Sequence, residues 1–331
     1  MSLSRQIELV ELDRLGRDLA RPENVLCFRD GTVLASSNQG YVSVIDPSGG
    51  QRRIPAAPGS APTTMALESE EALIVNDTTD GKLHRLRLDG GGYEPFLEEI
   101  DGSPLGSANY VFRDTRNRYW IAVATRHQPP HESIEVVADG YIAVIEDGRG
   151  RIVADGLRWP NEIRLDAREE YAYVSETLGK RVLRYPVLVG GDLGEPAPVG
   201  PDPLGPGAFP DGFALDREGN VWVTIVSRNG LMVIEPDGSA STVFEQPLDE
   251  PLAELEAAFA AGSIPMATVA ACAGPDIKLP TSVGFAGPEL RTMVLGSLAM
   301  DQLITLPAPV PGLPLAHQYG DKASPILAGG E

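Results

Sequence analysis

The sequence predicts a six-bladed β-propeller. Three observations carry that reading: a strand–turn–strand grammar occurs six times, the spacing inside each copy is nearly constant, and the composition is rich in turn residues. Gly (36) and Pro (29) make up about a fifth of the 331 residues, against roughly an eighth in average usage. Hydrophobic residues are 42% and charged residues 22%, enough to build a sizeable core.

The copies run in order along the chain. They are "ENVLCFRDGTVLAS" from Glu23, "TTMALESEEALIVN" from Thr63, "NYVFRDTRNRYWIAV" from Asn109, "NEIRLDAREEYAYVS" from Asn161, "DGFALDREGNVWVT" from Asp211 and "TSVGFAGPELRTMVLG" from Thr281. In the first five, the second apolar run begins ten residues after the starting residue, at Val33, Leu73, Tyr119, Tyr171 and Val221. A third strand is predicted at 40–46, 81–89, 140–147, 180–187 and 229–238. The segment "QIELVEL" at 6–12 is expected to close the ring by adding an outer strand to the last blade. The chain reads as one propeller domain over 1–331 with two insertions, 126–139 and 247–276. Within the second, Leu252, Leu255 and Phe259 stand at helical spacing ahead of Gly262. That helix is either a surface element on the rim or a lid over one mouth of the channel.

The net charge of −20 argues against nucleic acid and anionic membrane surfaces, which require basic patches. Cys27 and Cys272 fit no metal or redox spacing and are expected to be free thiols. No segment approaches the roughly 18 apolar residues of a membrane span, and the N-terminus has no apolar leader core. The expected setting is cytoplasmic, and the expected partner is a small molecule; the oligomeric state stays open.

First strands of propeller blades line the central channel, so their equivalent positions form a ring. The six starting residues all carry oxygen: Glu23, Thr63, Asn109, Asn161, Asp211 and Thr281. Residues two positions further on are apolar: Val25, Met65, Val111, Ile163, Phe213 and Val283. Singly, each starting residue could be an ordinary turn or cap. Together, Glu23, Asn109, Asn161 and Asp211 form a hard-oxygen ligand set for one divalent cation on the axis. Calcium fits best, with magnesium, manganese or zinc as alternatives; the lack of His or Cys disfavours a dedicated zinc site. Asp211 lies in a Pro-Asp-Gly tripeptide that recurs at Asp237. Asp237 follows a third strand, as turn residues do, whereas Asp211 precedes a first strand.

The segments "RPENV", "WPNEIRLD", "FPDGFALDREGNVWV" and "PTSVGFAGPELRTMVLGSL" resemble signature segments of the senescence-marker-protein/gluconolactonase (regucalcin-like) family. The resemblance implies an axial divalent cation that supports lactone, ester or phosphoester hydrolysis. It implies Glu23, Asn161 and Asp211 as metal ligands and Asn109 as a ligand or substrate contact. Two departures stand out: the third-blade motif reads "SANYV", without the family's Arg, and "PNE" replaces Pro-Asn-Gly. Tyr110, Trp159 and Phe209 then suggest a substrate less polar than a sugar lactone, with Glu162 beside the metal. Arg126 and His127 either reach over the mouth or form an exposed loop pair. The expected function is metal-dependent hydrolysis of a lactone or related cyclic carbonyl compound, with Asp211 as general base or nucleophile. The alternatives are hydrolysis of a carbon–carbon bond in a cyclic ketone or dione, and a calcium- or ligand-binding propeller without turnover.

Overall fold

A computed structural model describes residue 3 and residues 6–127 and 132–319. They form six four-stranded antiparallel sheets, one per predicted copy. Blade 1 runs Val25–Cys27, Val33–Ala35, Tyr41–Ile45 and Gln51–Pro55, and the other blades repeat the pattern. First strands of neighbouring blades contact one another, Pro62–Leu67 with Ser107–Arg113 and Pro210–Leu215 with Pro280–Ala286 among them. The ring is closed by Val25–Cys27 against Pro280–Ala286.

The core sits between blades. Each first strand alternates, and its apolar set meets the second and third strands of a neighbour. Val111, Ile121 and Tyr141 of blade 3 thus pack with Ile74 and Leu83 of blade 2. Ile163 and Val174 of blade 4 pack with Trp120 and Ile142 of blade 3. Aspartates at the first turn staple two of the blades. Asp114 accepts from Arg118 Nε at 2.7 Å and Trp120 Nε1 at 2.9 Å. Asp216 accepts from Asn220 Nδ2 at 2.7 Å and Trp222 Nε1 at 2.9 Å. Each buried carboxylate thereby has its lone pairs used and its indole donor matched.

The last blade is closed by an N-terminal strand, but not by 6–12. Asp13–Leu15 pairs with Leu303–Pro307, Asp13 opposite Thr305 and Leu15 opposite Leu303. Leu9–Glu11 instead forms a single 3-10 turn, held by the Glu8 N–H donating to Glu11 Oε1 at 3.1 Å. Ile7 N–H then reaches Val243 O of blade 5 at 2.7 Å. The local turn removes these residues from the sheet despite their alternation.

A C-terminal strap crosses the face opposite the ring of starting residues. Gly312 N–H donates to Leu290 O and Leu313 N–H to Leu215 O, both at 2.9 Å. Gln318 Nε2 donates to Cys27 O at 2.7 Å and to Phe285 O at 2.9 Å. The strap ties blades 1, 5 and 6 together at that end of the channel.

The two insertions meet each other. Ser133–Glu135 pairs antiparallel with Ser263–Pro265, Ile134 opposite Ile264. The predicted helix lies within α1, Asp249–Ala261, which ends at Gly262 with φ 90°; a second helix, α2, covers Met266–Ala271. Residues 128–131 of the first insertion lie outside the described residues. Cys27 and Cys272 are free and buried. Among the described residues no helix is long and apolar enough to cross a membrane.

Candidate active site

Five of the six first strands break register where they begin. The pairing jumps from Pro160 to Ile163, from Pro210 to Phe213 and from Pro280 to Val283, with further breaks at Pro62/Thr64 and Ser107–Tyr110. Such bulges leave residues out of the ladder and turn their side chains toward the axis. Glu23, Asn109, Asn161 and Asp211 all line one cavity of about 470 Å³ at this end of the channel. Asn109 Nδ2 donates to Asn161 O at 3.2 Å, and Asn161 Nδ2 donates to Thr177 Oγ1 at 3.2 Å. The Thr177 hydroxyl in turn donates to Pro210 O at 2.7 Å, fastening blade 4 to blade 5 beside Asp211. Thr281 turns its hydroxyl to the Glu23 carbonyl, and Thr63 pairs with Asn76, so neither is part of the cavity lining.

The floor is electrostatically unbalanced. Burial first, and then the charges of Glu23 and Glu162, hold the Asp211 carboxyl well above the usual carboxylate range; Asn161 and Arg21 oppose this. Glu23 Oε2 is buried without a hydrogen-bond partner. Two converging carboxylates and two carboxamides, with Glu23 Oε2 facing the Arg21 guanidinium at 3.1 Å but accepting no aligned hydrogen bond, are a donor set that a hard divalent cation fits. Asp237, by contrast, sits at an exposed turn and accepts from the Ser239 N–H at 2.9 Å and hydroxyl at 2.7 Å. The two Pro-Asp-Gly tripeptides therefore occupy different environments.

Beneath the floor lies a second polar layer, where the sequence reading expected apolar residues. Because of the bulge, Glu162 follows Asn161 onto the axis instead of pointing away. It is buried under the floor and does not line the cavity, so it is not placed to touch a substrate there. Its carboxylate accepts from Arg164 at 3.2 Å, from Asn24 Nδ2 at 3.3 Å and from the Phe213 N–H at 3.3 Å. Burial pushes its carboxyl up to about 7, with Arg164 and these donors opposing. Gly212 faces it, and a Cβ there would overlap Glu162 Oε1. Tyr110 belongs to the same layer: it is buried, its ring lies 4.8 Å from the Arg164 guanidinium, and it is absent from the cavity. Tyr110 therefore supports the floor and is not part of the substrate wall.

The walls and roof are mostly apolar. Trp159, Leu178, Phe209 and Val226 rise from blades 4 and 5, and Leu298 from blade 6. Trp159 holds a left-handed backbone, φ 60°, unusual for a bulky residue and a mark of local constraint. Ile134 comes from the first insertion, while Leu255, Ile264, Met266 and Val269 come from the second. Helix α1 is thus part of the cavity and not only a rim element. It is tied down by Glu256, which accepts from Lys180 Nζ at 2.7 Å and from the Gly207 N–H. Phe259 packs edge-on against Phe209 with ring centroids 5.4 Å apart. Arg126 is elsewhere: it pairs with Asp155 at 2.7 Å, lies over Tyr141 and does not line the cavity. His127 is likewise exposed. The loop-pair alternative describes both residues.

Two features escaped the sequence. Arg21 lines the cavity next to Glu23, with its Nε 3.1 Å from Glu23 Oε2; only a focus on residues before the starting position could have found it. The other is a cluster on blade 2, Asp77, Asp80 and His84, whose ligand atoms lie within 4.8 Å of one another. Asp77 already accepts from the Ala61 and Thr79 N–H groups, the Thr79 hydroxyl and Tyr93. Asp77 is thereby fully engaged and His84 Nε2 lies 2.9 Å from Asp80, although His84 Nδ1 is buried without a partner. The axial floor offers more uncommitted oxygen donors facing a cavity and is the stronger candidate metal centre.

Comparison with known proteins follows the same lines. The family model described as "SMP-30/Gluconolactonase/LRE-like region" matches residues 36–253, which include Asn109, Asn161 and Asp211. A curated 6-deoxy-6-sulfogluconolactonase from Pseudomonas putida is 25% identical over 204 residues, covering 60% of this chain and 58% of that protein. The match thus spans less than two thirds of that relative's length. A gluconolactonase from Xanthomonas campestris superposes with a TM-score of 0.65 at 18% identity, over 88% of each chain. A calcium-binding regucalcin from Agrobacterium tumefaciens superposes with a TM-score of 0.65 at 15% identity, over 90% of this chain and 95% of that one. Both structural likenesses establish the six-bladed fold.

Proposed function

The chain belongs to the SMP-30/gluconolactonase/LRE-like family, and from that premise we propose that it is a divalent-metal-dependent hydrolase of a lactone less polar than a sugar lactone. The observation that carries this reading is one cavity with two contrasting halves: the oxygen floor of Glu23, Asn109, Asn161 and Asp211 under an apolar roof and walls. Those four residues would hold the cation, with calcium the best match to two carboxylates and two carboxamides. When bound there, the cation supplies Lewis acidity toward the acyl oxygen and stabilises developing negative charge.

The chain's own residues do the rest. The Asp211 carboxylate takes a proton from the water whose oxygen adds to the acyl carbon. The ring C–O bond then breaks, and the Asp211 carboxyl returns that proton to the departing alkoxide. The product is the open-chain hydroxy acid. The Asn109 side chain, free to exchange its bond to the Asn161 carbonyl for one to substrate, orients the acyl group. Trp159 and Phe209, with the roof residues Leu255 and Ile264, exclude water and hold the substrate's apolar body.

The test is a substrate panel on chelator-treated protein, with calcium, magnesium, manganese or zinc restored in turn. Aliphatic and aromatic lactones should be hydrolysed faster than gluconolactone, and only with metal. If no lactone, ester or phosphotriester gains turnover on metal restoration, the hydrolase reading fails. If gluconolactone is the best substrate, the apolar-substrate reading fails.

A further inference from the structure

Arg21 stands where two cavities join. It lines the floor of the site, and it also lines an outer groove of about 520 Å³ whose other charged residues are Arg14, Asp276, Lys278 and Asp301. Leu298 is the second residue common to both. The roof is fastened over blades 4 and 5 through Lys180 and Gly207. The groove lies on the other side, between blades 6 and 1, where the site meets solvent.

Among the described residues lining the cavity, Arg21 is the single Lys or Arg. Its backbone is left-handed at φ 51° and is pinned by the Glu23 N–H donating to Arg21 O at 2.8 Å. A non-glycine residue in that conformation is held by its surroundings. Although Nε lies close to Glu23, it is buried and makes no aligned hydrogen bond. The side chain is 35% exposed, so the guanidinium is aimed along the cavity and groove. Glu162 and Arg164 cancel beneath the floor. The lining itself carries Glu23 and Asp211 against Arg21, a formal charge of −1. A divalent cation would change this to +1. With Glu23 engaged by that cation, the guanidinium lacks a counter-charge, and its planar donors suit an oxyanion.

We propose that Arg21 is a specificity-determining residue that binds an anionic group, carboxylate-like in chemistry, carried by the ligand beside its apolar body. The inference rests on the metal-dependent reading for its charge count, but its test needs no turnover. Hexanoate and its neutral counterpart hexanamide are titrated calorimetrically into calcium-saturated protein, for the wild type, Arg21→Gln and Arg21→Lys. Hexanoate should bind the wild type at least about ten-fold more tightly than hexanamide, the advantage expected of a charge-assisted pair. Arg21→Gln should cut that preference below about three-fold while leaving hexanamide unchanged; Arg21→Lys should recover part of it. Calcium affinity, read in separate titrations of calcium into chelator-treated protein, should stay equal or tighten in Arg21→Gln, because a neighbouring positive charge is gone. Thermal unfolding checks that each variant is folded. A preference that survives Arg21→Gln would mean that the metal alone binds the carboxylate and would overturn the proposal, as would no preference in the wild type. Kinetics then separate two sources of the anion: a carboxylate on the lactone gives an Arg21-dependent KM, and the acid released by ring opening gives Arg21-dependent product inhibition. If no lactone is hydrolysed yet the Arg21-dependent preference is found, the hydrolase reading falls and this one stands.

Discussion

Replacing Asp211 by Asn keeps the size of the side chain and removes its charge, and the structure gives the consequences opposite signs. In the metal-free protein the buried carboxyl faces Glu23 and Glu162, with Arg21 the opposing charge. Removing it should raise the unfolding temperature without metal. In the presence of calcium the sign reverses. At a calcium concentration 100 times Kd, binding stabilises the wild type by about 2.7 kcal/mol. Even a group that only supports a metal ligand is worth roughly 10- to 100-fold in affinity, so loss of a carboxylate ligand should cost at least the upper figure. At the same calcium concentration the variant would retain only about 0.4 kcal/mol of stabilisation. For a chain of this size the difference amounts to about 3–5 °C in calcium-induced shift. Turnover should fall by about 10²–10⁴-fold if Asp211 is the proton acceptor, equivalent to roughly 3–5 kcal/mol of transition-state stabilisation. Thermal unfolding with and without calcium, together with initial rates on a responsive lactone, reads all three quantities. Asp237→Asn is the internal control and should alter neither the calcium response nor the rate. A variant at 211 that melts lower without metal, keeps its calcium shift and retains full rate would make Asp211 a structural turn residue and refute the reasoning.

Stability of the metal-free protein should fall as pH rises from about 4.5 to 7. The Glu162 carboxyl is raised from 4.5 to about 7, so the folded state binds more protons than the unfolded state in that window. Each pH unit crossed there should cost up to about 1.4 kcal/mol. Urea unfolding in chelator at pH 5 and pH 8 checks the sign, and calcium should flatten the slope by neutralising the floor. Glu256→Ala removes the anchor shared by Lys180 and Gly207; local stability should drop by about 3 kcal/mol, seen as new proteolytic cleavage within 247–276 and a raised KM for apolar lactones. Gly312→Ala would drive a Cβ into the Phe285 ring under the strap, costing about 1–3 kcal/mol in denaturant titration with kcat unchanged, because the strap lies at the end of the channel away from the floor.

Much of this molecule is written in local periodicity. The six copies, their ten-residue internal spacing and the polar starting residues led from the linear chain to six sheets, because strand alternation and turn chemistry act over a few neighbouring residues. The same spacing separates Asp211, at the mouth of a first strand, from Asp237, in an exposed turn. Periodicity fails where the ladder is interrupted. Glu162, expected beside the metal, and Tyr110, expected against the substrate, both lie instead in the layer beneath the floor, next to the bulges at Pro160/Ile163 and Ala108/Tyr110. Alternation alone does not separate 6–12 from 13–15 as the closing strand: a local 3-10 turn takes Leu9–Glu11 out of the sheet, and Asp13–Leu15 is the segment that reaches Leu303–Pro307 once the ring is complete. The pairing of Ile134 with Ile264, the seat of α1 on Lys180 and the position of Arg21 between cavity and groove join residues far apart in sequence. Only closure of the six blades brings those residues within contact distance. The sequence therefore determined the fold and the candidate ligand ring, and the tertiary structure decided what lies below, above and beside that ring.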